Sequence, residues 1–216
     1  MAFWGRKKIK VVYFDVGGVL INCDLERYIP ICCAIFRTTP EALMREMNLR
    51  VPSLECGNIN SRTFWRQIGE SLWRNGEGTL ADDVEFHDLW RNIMESTLSI
   101  NEDVVRLCYY MSKSGIRVGI LSNAIAEHAD LLRERGIYKP FTPCLISCEV
   151  GIRKPDEQIF RIAAEKAQVK PGECLFIDDV ENNVIAAENV GMQGYVYTDA
   201  QSLAEELLRR ELLKAQ

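Results

Sequence analysis

Four short apolar runs in this chain end in residues able to do chemistry. Lys10 to Phe14 (KVVYF) ends at Asp15 and a pair of glycines, and Arg117 to Leu121 ends at Ser122-Asn123. Cys144 to Ser147 is followed by Glu149 and then Arg153-Lys154, and Cys174 to Ile177 ends at Asp178-Asp179. Taken singly, each is the kind of residue that caps a helix or closes a turn. Taken together they supply a carboxylate, a hydroxyl, an ammonium and a carboxylate pair. That set suits phosphoryl transfer. Magnesium takes hard oxygen ligands and usually keeps several waters, and Asp15 with the Asp178-Asp179 pair can supply those oxygens. Lys154 can neutralise both an attacking carboxylate and phosphoryl oxygens. The Ser122 hydroxyl and nearby backbone N–H groups can donate to a phosphoryl oxygen. Asp15 can itself attack phosphorus, giving an aspartyl-phosphate that water then opens. Positioning and charge neutralisation are most of what such a reaction needs.

For these residues to meet, the four runs must be neighbours in one sheet. From Asn101 onward the pattern alternates. Helices predicted over about 101–114, 126–135, 156–167 and 181–190 separate strands at 117–121, 144–147, 174–177 and 194–197, and a C-terminal helix follows. Such alternation implies parallel pairing through crossovers. Short, nearly all-apolar strands fit a sheet covered on both faces. Ligands bind such sheets outside the carboxyl ends of the strands, where the polar residues fall. Between about Asp24 and Ser99 the character changes to helical periodicity. Thr39-Pro40-Glu41 reads as an N-cap, a first-turn proline and an acidic first turn. Phe64, Ile68 and Leu72, with Trp65 and Trp73, mark an apolar face, and Val84, Leu89, Ile93 and Thr97 continue in the same style. The expected fold class is therefore α/β, a Rossmann-like parallel sheet flanked by helices. Residues 1–21 and 100–216 form the core and 22–99 a helical insert, with hinges near Asn22 and Ser99.

Composition narrows the partners. The chain has 216 residues, 47% hydrophobic and 26% charged, with a net charge of -5. An acidic chain argues against nucleic acid or an anionic membrane as the default partner. A small anionic substrate stays open, because a bound metal can invert the local field. No run approaches the ~20 apolar residues of a membrane span. The N-terminal MAFWGRKKIK lacks the apolar stretch of a signal peptide. The eight cysteines, Cys23, Cys32, Cys33, Cys56, Cys108, Cys144, Cys148 and Cys174, contain no C-x2-C pair. They read as reduced, mostly buried thiols of a cytoplasmic protein. Monomer and weak dimer both stay open.

FDVGGVL at 14–20, LSN at 121–123, RKP at 153–155 and FIDDVENN at 176–183 resemble, in order and spacing, the four motifs of the haloacid dehalogenase-like superfamily. The resemblance covers essentially the whole chain. It implies that the helical insert is a C1-type cap that closes over the site and shapes substrate choice. It also implies a magnesium-dependent phosphatase acting on a small phosphorylated metabolite. Carried over, Asp15 is the nucleophile and a metal ligand, and Gly17 offers its backbone carbonyl to the metal. Ser122 and Asn123 bind the phosphoryl group, and Lys154 balances charge. Asp179 is the direct metal ligand, Asp178 a ligand through water or a supporting partner, and Asn183 the residue that orients their loop. One departure matters. Most phosphatases of the family read D-x-D in the first motif, the second Asp serving as general acid/base, and here that position is Gly17. General acid/base help is typically worth ~10²–10⁴-fold. The D-x-G pattern resembles a subgroup similar to α-D-glucose-1-phosphate phosphatase, whose anomeric leaving group depends less on protonation. Asp24 and Glu149 are candidates for a substitute acid, against their plainer readings as an entry turn and a surface loop.

Two other readings stand beside this one. A metal-independent haloacid dehalogenase-type hydrolase also uses the first Asp and dispenses with the second. A catalytically weak member would act as a phosphate-binding or protein-interaction module. His87 and His128 lack partners at metal spacing and read as packing or helix-surface residues. Cys32-Cys33 and the tryptophans Trp65, Trp73 and Trp90 read as core of the helical insert. The C-terminal EELLRRELLKAQ reads as an amphipathic helix packed on the sheet.

Overall fold

The computed structural model describes residues 8–22, 24–80 and 86–213, the side chains of Leu25 and residues 86–88 excepted. Cys23 and Val84 therefore lie outside the described residues, as does the His87 side chain.

Strand β1 (Val11–Phe14) is wholly buried, and it sits at the centre of a five-stranded sheet. β4 (Arg117–Ser122) and β5 (Cys144–Ile146) lie on one side of it, and β6 (Cys174–Asp178) and β7 (Gln193–Val196) on the other. All four pairings are parallel. Side chains alternate across the pleat. Val12 and Phe14 join one apolar cluster, with residues of α5 (Glu102–Lys113), α6 (Ala126–Glu134) and α10 (Ala200–Arg209). Val11 and Tyr13 join another, with α8 (Glu157–Lys166) and α9 (Glu181–Asn189). The sheet is thus covered on both faces, as its apolar strands require. The C-terminal helix packs on the sheet through Leu203 and Leu207, both fully buried, but it ends at Arg209, so only the first part of EELLRRELLKAQ is helical, and 214–216 lie outside the described residues.

The helical insert lies between β1 and β4. It comprises α1 (Tyr28–Phe36), α2 (Pro40–Glu55), α3 (Ser61–Arg74) and α4 (Phe86–Thr97). Thr39 caps α2, its hydroxyl accepting from the Ala42 N–H at 3.3 Å, with Pro40 at the first helical position. Phe64, Trp65, Ile68, Leu72 and Trp90 form the insert's own core with Cys32, Phe36, Leu43 and Met47. Trp73 does not join them. It is 58% exposed, because one residue past Leu72 turns it off the buried face of α3. Where the sequence suggests bare hinges, a two-stranded antiparallel ribbon carries the chain in and out, β2 (Ile21–Asn22) on β3 (Ser99–Ile100). Two-residue strands are too short for alternation to mark. A one-turn helix α7 (Ser147–Val150) follows β5.

Candidate active site

The carboxyl ends of β1, β4 and β6 and the segment after α7 converge as expected. Asp15 is fixed by its own N–H, which donates to the Ile177 carbonyl at 2.8 Å. The chain then turns tightly, with the Gly18 N–H on the Ile21 carbonyl at 2.9 Å. Gly18 has φ +73°, and a Cβ there would lie 2.8 Å from the Asp179 carboxyl carbon. Only glycine lets the first loop meet the fourth so closely. Asn101 anchors the far end of the same loop, its side-chain amide donating to the Val19 carbonyl at 3.1 Å.

Lys154 is the hub. Its side chain is 1% exposed and its Nζ lies 2.9 Å from Asp15 Oδ1 and 2.6 Å from Asp178 Oδ2. One ammonium thus serves two carboxylates. Its backbone is held as tightly, with the Lys154 N–H on Asn123 Oδ1 at 2.8 Å and Asn123 Nδ2 on the Lys154 carbonyl at 2.9 Å. Both polar atoms of the Asn123 side chain are therefore engaged in positioning the lysine. What remains of Asn123 for a phosphoryl group is its backbone N–H and the second hydrogen of its amide. Ser122 ends β4, is 3% exposed, and makes only a long contact of 3.4 Å to the Asn123 carbonyl.

Asp178 is saturated. Besides Lys154 it accepts the Val180 N–H at 2.8 Å on Oδ1, and Asn183 Nδ2 lies 3.1 Å from both its oxygens. Asp179, its exposed neighbour, carries no such set. One oxygen from each of Asp15, Asp178 and Asp179 falls within 4.8 Å of the others. Three carboxylates this close, one of them exposed, fit a hard divalent cation with oxygen ligands.

The electrostatics express the same crowding. Burial, together with the Asp178 charge, pushes Asp15 up to about 6 from 3.8, against the pull of Lys154. Burial and Asp178 also raise Asp179. Burial works to lower Lys154, but its two carboxylates outweigh that and hold it above the usual lysine range. Carboxylates raised by burial beside a buried charge partner are a mark of functional sites.

Gly17 is exposed, and a Cβ built on it would meet nothing within 4 Å. Neither candidate for a substitute acid turns toward the site. Asp24 is exposed and paired with Arg27 at 3.1 Å, and Glu149 is paired with Arg133. Two other polar residues join the site, and only one of them has a signal in the sequence. Ser147 Oγ donates to the Glu55 carbonyl at 2.6 Å and accepts the Ala124 N–H at 3.0 Å. Glu55 Oε2 lies 2.7 Å from Arg153 Nε. Ser147 stands at a strand end, as the other site residues do. Glu55 lies in the helical insert, where no local pattern marks it. His128 is a packing residue, edge-on to Trp90 with ring centroids 5.8 Å apart.

Comparison with known proteins extends the picture. Residues 9–191 match the family model described as haloacid dehalogenase-like hydrolase. Among curated proteins, the sesquiterpene phosphatase AstK of Aspergillus oryzae is 25% identical over 204 residues, covering 92% of this chain and 94% of that protein. The bifunctional epoxide hydrolase 2 of Rattus norvegicus is 24% identical over 92% of this chain, but the matched stretch spans only 38% of that relative's length. Among solved structures, HAD family enzyme BT-2542 of Bacteroides thetaiotaomicron superposes as a magnesium complex with TM-score 0.70 and 27% identity, covering 94% of this chain and all of that one. The same enzyme with magnesium and inorganic phosphate gives 0.67 and 26%, covering 90% and 98%.

Proposed function

The chain belongs to the haloacid dehalogenase-like hydrolase family, and from that premise we propose that it is a magnesium-dependent phosphatase of a small phosphorylated metabolite. The observation that carries the reading is the cluster of Asp15, Asp178 and Asp179 around the buried Lys154. Magnesium and inorganic phosphate bound to BT-2542 support it, as does the phosphatase name of the A. oryzae relative.

Asp15, Asp179 and the Gly17 carbonyl would hold the cation, which when bound supplies charge neutralisation for the phosphoryl oxygens. Asp178, saturated by Lys154, Val180 and Asn183, braces the lysine. Asp15 Oδ attacks phosphorus as the ester oxygen leaves, and water then opens the aspartyl-phosphate to regenerate the carboxylate. Ser122 and the backbone N–H of Asn123 donate to the phosphoryl oxygens, and Lys154 offsets the charge between nucleophile and phosphate. Residues 22–99 act as the cap over a core of 1–21 and 100–216. With Gly17 in place of an acid, leaving groups that need little protonation are favoured, an anomeric sugar phosphate or an acyl phosphate among them. Seven free cysteines among the described residues fit a reducing, cytoplasmic compartment.

Gly17 also supports a second reading, a phosphate-binding member with little turnover. The metal-independent dehalogenase reading gains nothing from Asp179, a carboxylate that chemistry would not need. The test is release of inorganic phosphate from acetyl phosphate and p-nitrophenyl phosphate by wild type and Asp15→Asn, with magnesium or with EDTA. Turnover by wild type with magnesium alone is expected. Absence of turnover on both substrates would favour the binding module.

A further inference from the structure

We propose that Glu55 is a positioning residue, one that couples the seating of the helical insert to the placement of Lys154 and of the loop at 122–124. Glu55 is the last residue of α2, and it reaches the core twice. Its carboxylate meets Arg153 at 2.7 Å, one peptide bond before Lys154. Its carbonyl accepts from Ser147, whose oxygen also receives the Ala124 N–H next to Ser122-Asn123. Asn123 in turn grips the Lys154 backbone on both sides. A closed circuit therefore runs from the insert through Arg153, Lys154, Asn123, Ala124 and Ser147 back to Glu55.

Two further ion pairs between insert and core lie outside this circuit. Arg91 with Glu134, and Arg135 with Glu95, join α4 to α6 through side chains about a third to three-fifths exposed, and pairs so wet contribute little. The Glu55 carboxylate is 19% exposed and Arg153 32%. A partly buried pair holds only while its geometry is kept, because desolvation opposes it. It is thus sensitive to whether the insert is seated. A second feature marks the same contact. Gly57 has φ +69°, and a Cβ there would overlap the Cys148 carbonyl oxygen and lie 3.3 Å from its carbon. The bend after α2 is built to press backbone against backbone at this point. Burial raises the Glu55 pKa while Arg153 and Lys154 lower it, which puts the carboxylate within the lysine's field.

The kinetic part of this inference rests on the phosphatase reading, and the exchange part does not. The experiment compares wild type, Glu55→Gln and Gly57→Ala with magnesium present. Glu55→Gln removes the charge and keeps the shape. Gly57→Ala lifts the bend sterically and keeps the charge. Each is expected to speed amide hydrogen exchange about tenfold at 55–60 and also at 122–124, with β1 and β6 unchanged. Each should lower kcat/KM on p-nitrophenyl phosphate about tenfold, and the charge-swapped pair Glu55→Arg with Arg153→Glu should recover part of it. Faster exchange confined to 55–60 would overturn the coupling. So would an active wild type whose kcat/KM is matched by Glu55→Gln. If wild type shows no phosphatase activity, the functional reading fails, and exchange at 122–124 still decides the coupling.

Discussion

Removing the nucleophile should stabilise the metal-free protein. Asp15 ionises in a nearly dry site beside Asp178, with one ammonium between them, and its pKa is pushed up to about 6 from 3.8. The folded state therefore holds a proton that the unfolded chain has released. Stability falls as pH rises from about 4 to about 6, and the cost is fully present above that. A shift of about two units corresponds to about 3 kcal/mol. The attraction of Lys154 is already contained in that shift, so it needs no separate deduction. Asp15→Asn mimics the protonated carboxyl and escapes the cost. In EDTA at pH 8 the variant should unfold up to about 3 kcal/mol later in urea than wild type, or about 6–12 °C higher on heating. The gain should shrink to about half at pH 5 and vanish near pH 4. A variant no more stable than wild type at pH 8, or a gain independent of pH, would refute the reasoning.

Other outcomes follow from the same cluster. Lys154→Met leaves two carboxylates without their ammonium and should cost about 3–5 kcal/mol at pH 8, less at pH 5, by urea titration. Asn183→Ala strips the side-chain donor it offers to both Asp178 oxygens and should cost about 1–3 kcal/mol, again by urea titration. Gly17→Asp enters open space, so the fold should be unaffected while turnover of alkyl phosphates rises about 10²-fold and that of acetyl phosphate far less. Steady-state rates on the two substrates check this. Beryllofluoride and magnesium together should raise the melting temperature, and neither the fluoride alone nor the pair with EDTA should do so.

Much of the core was legible because its strands are short, apolar and punctuated by polar residues, so that Asp15, Ser122, Lys154 and Asp178-Asp179 could be placed at one rim before any coordinates. The Thr39 cap was equally plain, since its chemistry is local. What stayed hidden depends on contacts distant in sequence. Glu55 and Arg153 lie far apart along the chain, and nothing near either announces the other. That the Asn123 side chain also grips the Lys154 backbone depends on a partner 31 residues away. Trp73 and Trp65 look alike in a periodic segment, and about 80° around α3 separates the exposed one from the buried one. The ribbon of β2 and β3 is too short to leave any periodicity.

The central claim is that Asp15 forms a bond to phosphorus. Rapid acid quenching of wild type during turnover of acetyl phosphate with magnesium, followed by mass spectrometry of the peptide spanning residue 15, reads that bond directly. A phosphorylated Asp15 that is present with magnesium, absent with EDTA and absent in Asp15→Asn is the expected result. Phosphate release that proceeds with Asp15 unmodified and survives its replacement by Asn would contradict the account.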